Sequence, residues 1–146
     1  MLLGCGSKGA VSLTVDIPTA SVQVLNGPFG ASLKGQFELG FALGPESSGA
    51  TTVSSGSFSL ESEAQAALGG PLTITETSPS FPLTIEPGTS KSMTLKYKLE
   101  SGVQLTDFCA APAPRVSVVG AVMDTLKGGA DPVSSRLFSA DCPPAI

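Results

Sequence analysis

The sequence predicts an all-β chain, an antiparallel β-sandwich of about 7–9 strands with at most one short helix, over residues 61–68. Three observations predict it. Apolar residues recur at every second position through several stretches, most clearly at Leu33, Phe37, Leu39, Phe41 and Leu43, with Gly35 in the same series. Turn-forming residues are dense, with 17 Gly and 12 Pro in 146 residues. Charged residues are only 14% of the chain, below the roughly 25% of an average soluble domain. Residues 1–10 read as a flexible tether and 11–146 as a single sandwich domain. A chain of this length buries roughly 70% of its unfolded surface, so it needs no metal or dense disulfide framework to fold.

The elements follow in order. Val11, Leu13, Val15 and Ile17 alternate with Ser12, Thr14 and Asp16 and predict a half-buried strand ended by Pro18. Val22 and Val24 extend the run to a turn at Asn26-Gly27-Pro28. The long alternation from Leu33 to Leu43 fits a strand with one face in a core, ended by Pro45. Gly35 and Gly40 within it predict a bulge or strong twist. Residues 51–61 read as another strand, with Phe58 and Leu60 facing one way. Glu61 to Leu68 has helical composition but under three turns, which leaves a short helix or a mobile loop.

Leu72 and Ile74 mark a short strand, and Phe81, Leu83 and Ile85 another. Pro87-Gly88 predicts a turn with Pro in its second position. Met93, Leu95, Tyr97 and Leu99 alternate with Ser92, Thr94, Lys96, Lys98 and Glu100, so a solvated face accounts for the Lys91–Lys98 cluster without any partner. Residues 107–115 form a Pro-rich connection carrying Cys109. Val116 to Asp124 reads as a strand with a bulge at Gly120, and Lys127-Gly128-Gly129 as a turn. Pro132 to Ala140 then returns as the last strand and brings Cys142 near residue 114.

Charge and composition exclude several functions. The net charge is −4, and no basic run or basic helix exists to release counterions from several phosphates, which argues against nucleic-acid binding. There is no His and no Trp. The commonest general base and metal ligand is therefore missing. No stretch has the roughly 18 apolar residues of a membrane-spanning helix.

The chain opens Met1-Leu2-Leu3-Gly4-Cys5-Gly6-Ser7. Leu-x-Gly-Cys resembles a bacterial lipobox, with small Gly4 before the cysteine and aliphatic Leu2 in place; Leu3 departs from the smaller residue usual there. The resemblance implies lipidation of Cys5, with the flexible Gly6-Ser7-Lys8-Gly9 as tether. Gly6 in place of Asp implies the outer membrane under that family's sorting rule. Two or more acyl chains would hold the domain stably. The other reading keeps Cys5 as an ordinary residue of a frayed end.

Cysteines stand at 5, 109 and 142. If Cys5 carries lipid, Cys109 and Cys142 are left as an even pair and predict one disulfide, worth about 3–4 kcal/mol in the chain-entropy model. The competing reading is two buried free thiols. No Cys-x-x-Cys exists to suggest a redox pair or a zinc ribbon.

The run Phe81-Pro-Leu-Thr-Ile-Glu-Pro-Gly88-Thr-Ser-Lys-Ser-Met-Thr-Leu95 is similar to the region of bacterial immunoglobulin-like domains where an apolar strand, a Pro-Gly turn and an alternating strand recur. Residues 11–99 resemble in outline the water-stress and type 2 late-embryogenesis domains, with Gly44-Pro45 where those carry Asn-Pro. Both resemblances imply an immunoglobulin-like sandwich. The core Trp and paired cysteines of antibody domains are not matched.

No catalytic, cofactor or metal residues are predicted. Ser90-Lys91-Ser92 holds the types of a Ser–Lys dyad but sits at a turn entering a solvated strand. Glu61 and Glu63 pair carboxylates with no aromatic platform for a sugar. Asp124 and Asp131 flank a turn that holds Ca²⁺ weakly at best; water-exposed turn residues are the plainer reading. The function expected is a non-enzymatic envelope lipoprotein in the bacterial outer membrane or periplasm. Anchored through Cys5, it binds an envelope protein partner or serves structurally. The alternative is a stress- or desiccation-protective domain of the water-stress type.

Overall fold

The computed structural model describes residues 13–27, 30–68, 70–100 and 115–142. Its strands are β1 (Leu13–Asp16), β2 (Ala20–Gly27), β3 (Gly30–Leu43), β4 (Thr51–Ser62), β5 (Ala67–Leu68), β6 (Thr73–Ser78), β7 (Leu83–Ile85), β8 (Ser90–Glu100), β9 (Arg115–Asp124), β10 (Gly129–Ser134) and β11 (Phe138–Ser139). The count exceeds the expected 7–9 for local reasons. Pro18 divides one edge strand into β1 and β2, and β5 and β11 are two residues each. Among the described residues there is no helix.

All ladders between these strands are antiparallel and form two sheets. In the first, β3 pairs on one edge with β2 and then β1, and on the other with β8, which pairs with β6. In the second, β9 lies between β10 and β4; β5 and β7 cover the two ends of β4, and β11 pairs with the start of β9. With β1 and β2 counted as one interrupted strand, the main strands run first–second–fifth–fourth in one sheet and third–sixth–seventh in the other. This is the order of the immunoglobulin constant-type sandwich.

Alternation explains the core. Leu33, Phe37, Leu39, Phe41 and Leu43 of β3 and Met93, Leu95, Tyr97 and Leu99 of β8 are all buried. Across from them lie Val53, Phe58 and Leu60 of β4 and Val116, Val118 and Val122 of β9. Phe37 sits between the sheets, its ring centroid 5.0 Å from Phe58 and 6.0 Å from Tyr97, in tilted pairs of the kind aromatic quadrupoles favour.

The glycine expectations divide. The β3–β8 ladder runs without a shift through Gly35 and Gly40, so neither makes a bulge. Gly35 instead permits a close approach. A Cβ there would lie 2.1 Å from the Ser21 carbonyl oxygen and 2.7 Å from the Tyr97 hydroxyl, which donates to that same carbonyl at 2.8 Å. The bulge lies in β4, where Gly56 and Ser57 together oppose Ala121 alone, between Ser55↔Val122 and Phe58↔Gly120. It switches the buried parity of β4 from odd at Thr51 and Val53 to even at Phe58 and Leu60.

Residues 61–68 form a tight hairpin, not a helix. Leu60 pairs with Leu68 and Glu61 with Ala67. Gln65 adopts φ 66°, and Ser62 closes the turn by accepting at its carbonyl from the Gln65 amide and at its hydroxyl from the Ala66 amide. So short a helix forms too few internal bonds to nucleate, whereas the hairpin extends a ladder that already exists. The Pro87-Gly88 expectation holds. Gly88 has φ 76° and the Thr89 amide donates to the Glu86 carbonyl, the geometry of a type II turn.

Two substitutions test this packing by urea denaturation. Phe37→Ala is expected to cost about 3–5 kcal/mol. Gly35→Ala is expected to cost about 1–3 kcal/mol, because backbone and Tyr97 must move apart. Gly49→Ala, with nothing within 4 Å of its Cβ position, serves as control and is expected to stay within about 0.5 kcal/mol.

Candidate functional site

Two polar places stand out on this frame: a buried cluster beneath the β9–β10 turn, and a cleft on the outer face of the first sheet. The cluster forms because β4 begins where β9 ends. Asp124 lies opposite Val53, and the Thr125 amide donates to the Thr52 carbonyl at 3.1 Å. Thr51 is 0% and Asp124 4% exposed. The Thr51 hydroxyl donates to Asp124 Oδ1, and the Leu126 amide reaches both that oxygen and Thr51 Oγ1 at 3.1 Å. Asp131 follows on β10, its side chain 13% exposed. Lys127 Nζ binds Asp131 Oδ1 at 3.1 Å and the Ala130 carbonyl at 3.0 Å.

Burial alone would raise the Asp124 carboxyl; bonding from Asp131, the Thr51 hydroxyl and the Lys127 and Leu126 amides outweighs it and holds this group below the usual carboxylate range. Burial, and then the adjacent Asp124, push Asp131 above that range against the pull of Lys127. The turn carboxylates, expected from sequence to be water-exposed, lie side by side with Asp124 buried and Asp131 partly buried. As for Ca²⁺, an ammonium already holds Asp131 Oδ1, and among the described residues no three His, Cys, Asp or Glu side chains gather.

The cleft has a volume of about 500 Å³ and is lined in part by Gln23, Lys34, Gln36, Thr75, Lys96 and Asp141. Register builds it. Gln23, Lys34, Lys98 and Thr73 form one row across four strands; Ser21, Gln36, Lys96 and Glu76 form the next. Lys34 thus lies directly opposite Lys98, and Gln36 opposite Lys96. Glu76 approaches Lys96 at 3.8 Å, and both are more than half exposed, so that pair holds little. On the core side of the sheet, Gly35 leaves room for the Tyr97 hydroxyl. That phenol is pushed well above its ordinary titration range by burial.

The remaining sequence candidates are placed apart. Lys91 Nζ donates to the Thr84 carbonyl at 2.7 Å, so its ammonium serves the β7–β8 connection, not a serine. Glu63 binds Arg115, and Glu61 lies opposite Ala67 and Ser117. Cys5 and Cys109 lie outside the described residues. Cys142 is half-buried against the core at the end of a tail that sequence reading missed. The predicted single strand from Pro132 to Ala140 is broken after Ser134, and residue 141 crosses to the other sheet. The Asp141 amide donates to the Val22 carbonyl and its carbonyl accepts from the Val24 amide, both at 2.9 Å, as a parallel bridge to β2. No periodicity marks a one-residue bridge.

Fold and surface together define an immunoglobulin-type sandwich with a polar cleft on one sheet. No protein-family model matches the chain, and no curated protein matches it. The X-ray structure of Northeast Structural Genomics Consortium target SoR45 aligns over 92% of this chain and 90% of that chain, at 11% identity and a TM-score of 0.43.

Thr51→Val keeps shape but removes a donor from a buried carboxylate. It is expected to cost about 1–3 kcal/mol in urea denaturation at neutral pH. An unchanged midpoint would show that Asp124 does not depend on Thr51.

Proposed function

We propose that this chain is a non-enzymatic lipoprotein module of the bacterial envelope, tethered through Cys5, which holds an acidic segment of a partner protein in the cleft of the first sheet. The observation that carries the reading is the convergence of Lys34 and Lys96 on one cleft in a protein of net charge −4. A partner's carboxylates lying over these two ammonium groups complement their charge. Gln23, Gln36 and Thr75 add further polar groups around them.

A face suits contact better than an edge in this sandwich. On β6, Thr75 is an extra residue between Ile74↔Tyr97 and Glu76↔Lys96, and its hydroxyl folds back onto the Lys96 carbonyl. β10 carries Pro132, and Asp141 occupies part of β2. Bulges, prolines and covered edges all oppose strand addition.

A Cys109–Cys142 disulfide belongs to the same reading, since the envelope is oxidising. Cys142 is engaged rather than free. β11 pairs Ser139 with Arg115, so the chain approaching Cys142 runs beside the start of β9, shortly after position 109.

Intact-mass measurement of the membrane-purified protein tests the anchor and the bridge together. The expected result is an acyl increment on Cys5 and a loss of two hydrogens from Cys109 and Cys142; an unmodified, fully reduced chain contradicts both. Capture from envelope extract tests the cleft. The Lys34→Glu/Lys96→Glu variant is expected to bind the captured partner at least about tenfold more weakly, and the wild-type interaction to weaken with salt. Equal binding by the charge-reversed protein rules the cleft out.

A further inference from the structure

We propose that Asp124 and Asp131 hold one proton between them, and that this single proton latches the β9–β10 hairpin onto the start of β4, the latch loosening both when the proton is lost and when a second is added. The proposal is independent of the cleft and of any partner.

Register sets the pair. Gly129 lies opposite Asp124 and Asp131 opposite Val122, so the two aspartates are diagonal neighbours on the face that also carries buried Val122 and Val133. Their carboxyl groups are within hydrogen-bonding reach of one another. Asp124 Oδ1 already accepts from the Thr51 hydroxyl and the Leu126 amide, which suits it to be the anion. Asp131 presents Oδ1 to Lys127, while its Oδ2 is buried without a hydrogen-bond partner among the described residues.

Two carboxylates cannot bond to one another, whereas a carboxylic acid and a carboxylate form a short, charge-assisted bond. A proton on Asp131 Oδ2 therefore turns the orphan oxygen into a donor to Asp124 and removes the repulsion between them. Lys127 is the cation acting on the pair, and its side chain is half exposed. From β4 the pair meets the Thr51 hydroxyl, which carries no charge. β7 holds no ionisable residue, and Asp16 of β1 lies against Gly40 instead.

The sign of the pH effect follows from the two directions. Asp131, raised in the folded chain, contributes stability that is complete below the unfolded aspartate value and is lost as pH rises through its folded value. Asp124, lowered, contributes stability that is lost as pH falls through its own folded value. The hairpin is thus tightest between the two titrations.

The test is a carbon-13 titration of the aspartate carboxyls in the whole chain, with urea stability measured against pH for wild type and Asp131→Asn. The asparagine amide donates to Asp124 at every pH. One carboxyl is expected to titrate above the ordinary value of about 3.9 and its neighbour below it. The ratio of wild-type to variant unfolding constants is expected to rise by up to about tenfold per pH unit between the unfolded and the raised folded values, then level off. A ratio flat with pH, or both carboxyls titrating at the ordinary value, overturns the proposal. Should Asp131→Asn not fold, the wild-type titration alone decides.

Discussion

The contact between Phe37 and Phe58 joins the two sheets at their centre, and much of the structure is arranged around it. Phe37 is positioned by the unbroken β3–β8 ladder. Phe58 reaches it only because the bulge in β4 moves the inward parity by one residue. Without that extra residue, Phe58 and Leu60 would point to solvent while Val53 pointed in, and one strand could not serve the core at both ends. Tyr97 completes the aromatic group, and Gly35 leaves the space for its hydroxyl to bond Ser21. Core and bulge are therefore one constraint.

Polar groups gather where that core ends. The Thr51–Asp124–Asp131 cluster closes one end of the second sheet, and its buried oxygens are matched by hydroxyl, amide and ammonium donors except at Asp131 Oδ2. On the other sheet, the outward half of the same alternation that builds the core places Lys34, Lys96 and Lys98 on neighbouring strands. A period of two fixes both faces at once, so the cleft's donors follow from the register that buries Leu33, Phe37 and Leu95. The tail bridge at Asp141 ties this sheet back to the one it faces.

Much of this architecture was legible in the residues. Period-two spacing located the long strands, and Pro87-Gly88 and Lys127-Gly128-Gly129 located their turns, because local sterics alone decide those features. The hairpin at 61–68 was obscured by its Ala- and Glu-rich composition, since helix propensity says nothing about a ladder partner waiting in β4. The bulge was placed at Gly120, whereas it lies in β4 opposite Ala121, and Gly120 pairs with Phe58 beside it; a glycine marks close approach without saying which strand carries the extra residue. The carboxyl pair was visible only as two turn aspartates, because diagonal pairing and burial depend on a register that sequence does not state. The cleft was missed for the same reason: lysines 34, 96 and 98 meet only through the β3–β8 pairing.

The most direct measurement is the set of nuclear Overhauser contacts of the Phe37 ring. The account predicts contacts to Phe58 from the opposing sheet and to Tyr97 from its own, together with cross-strand backbone contacts in the register Phe37↔Leu95 and Phe58↔Gly120. A Phe37 ring with no contact to Phe58, or a ladder displaced by one residue in either sheet, would contradict it.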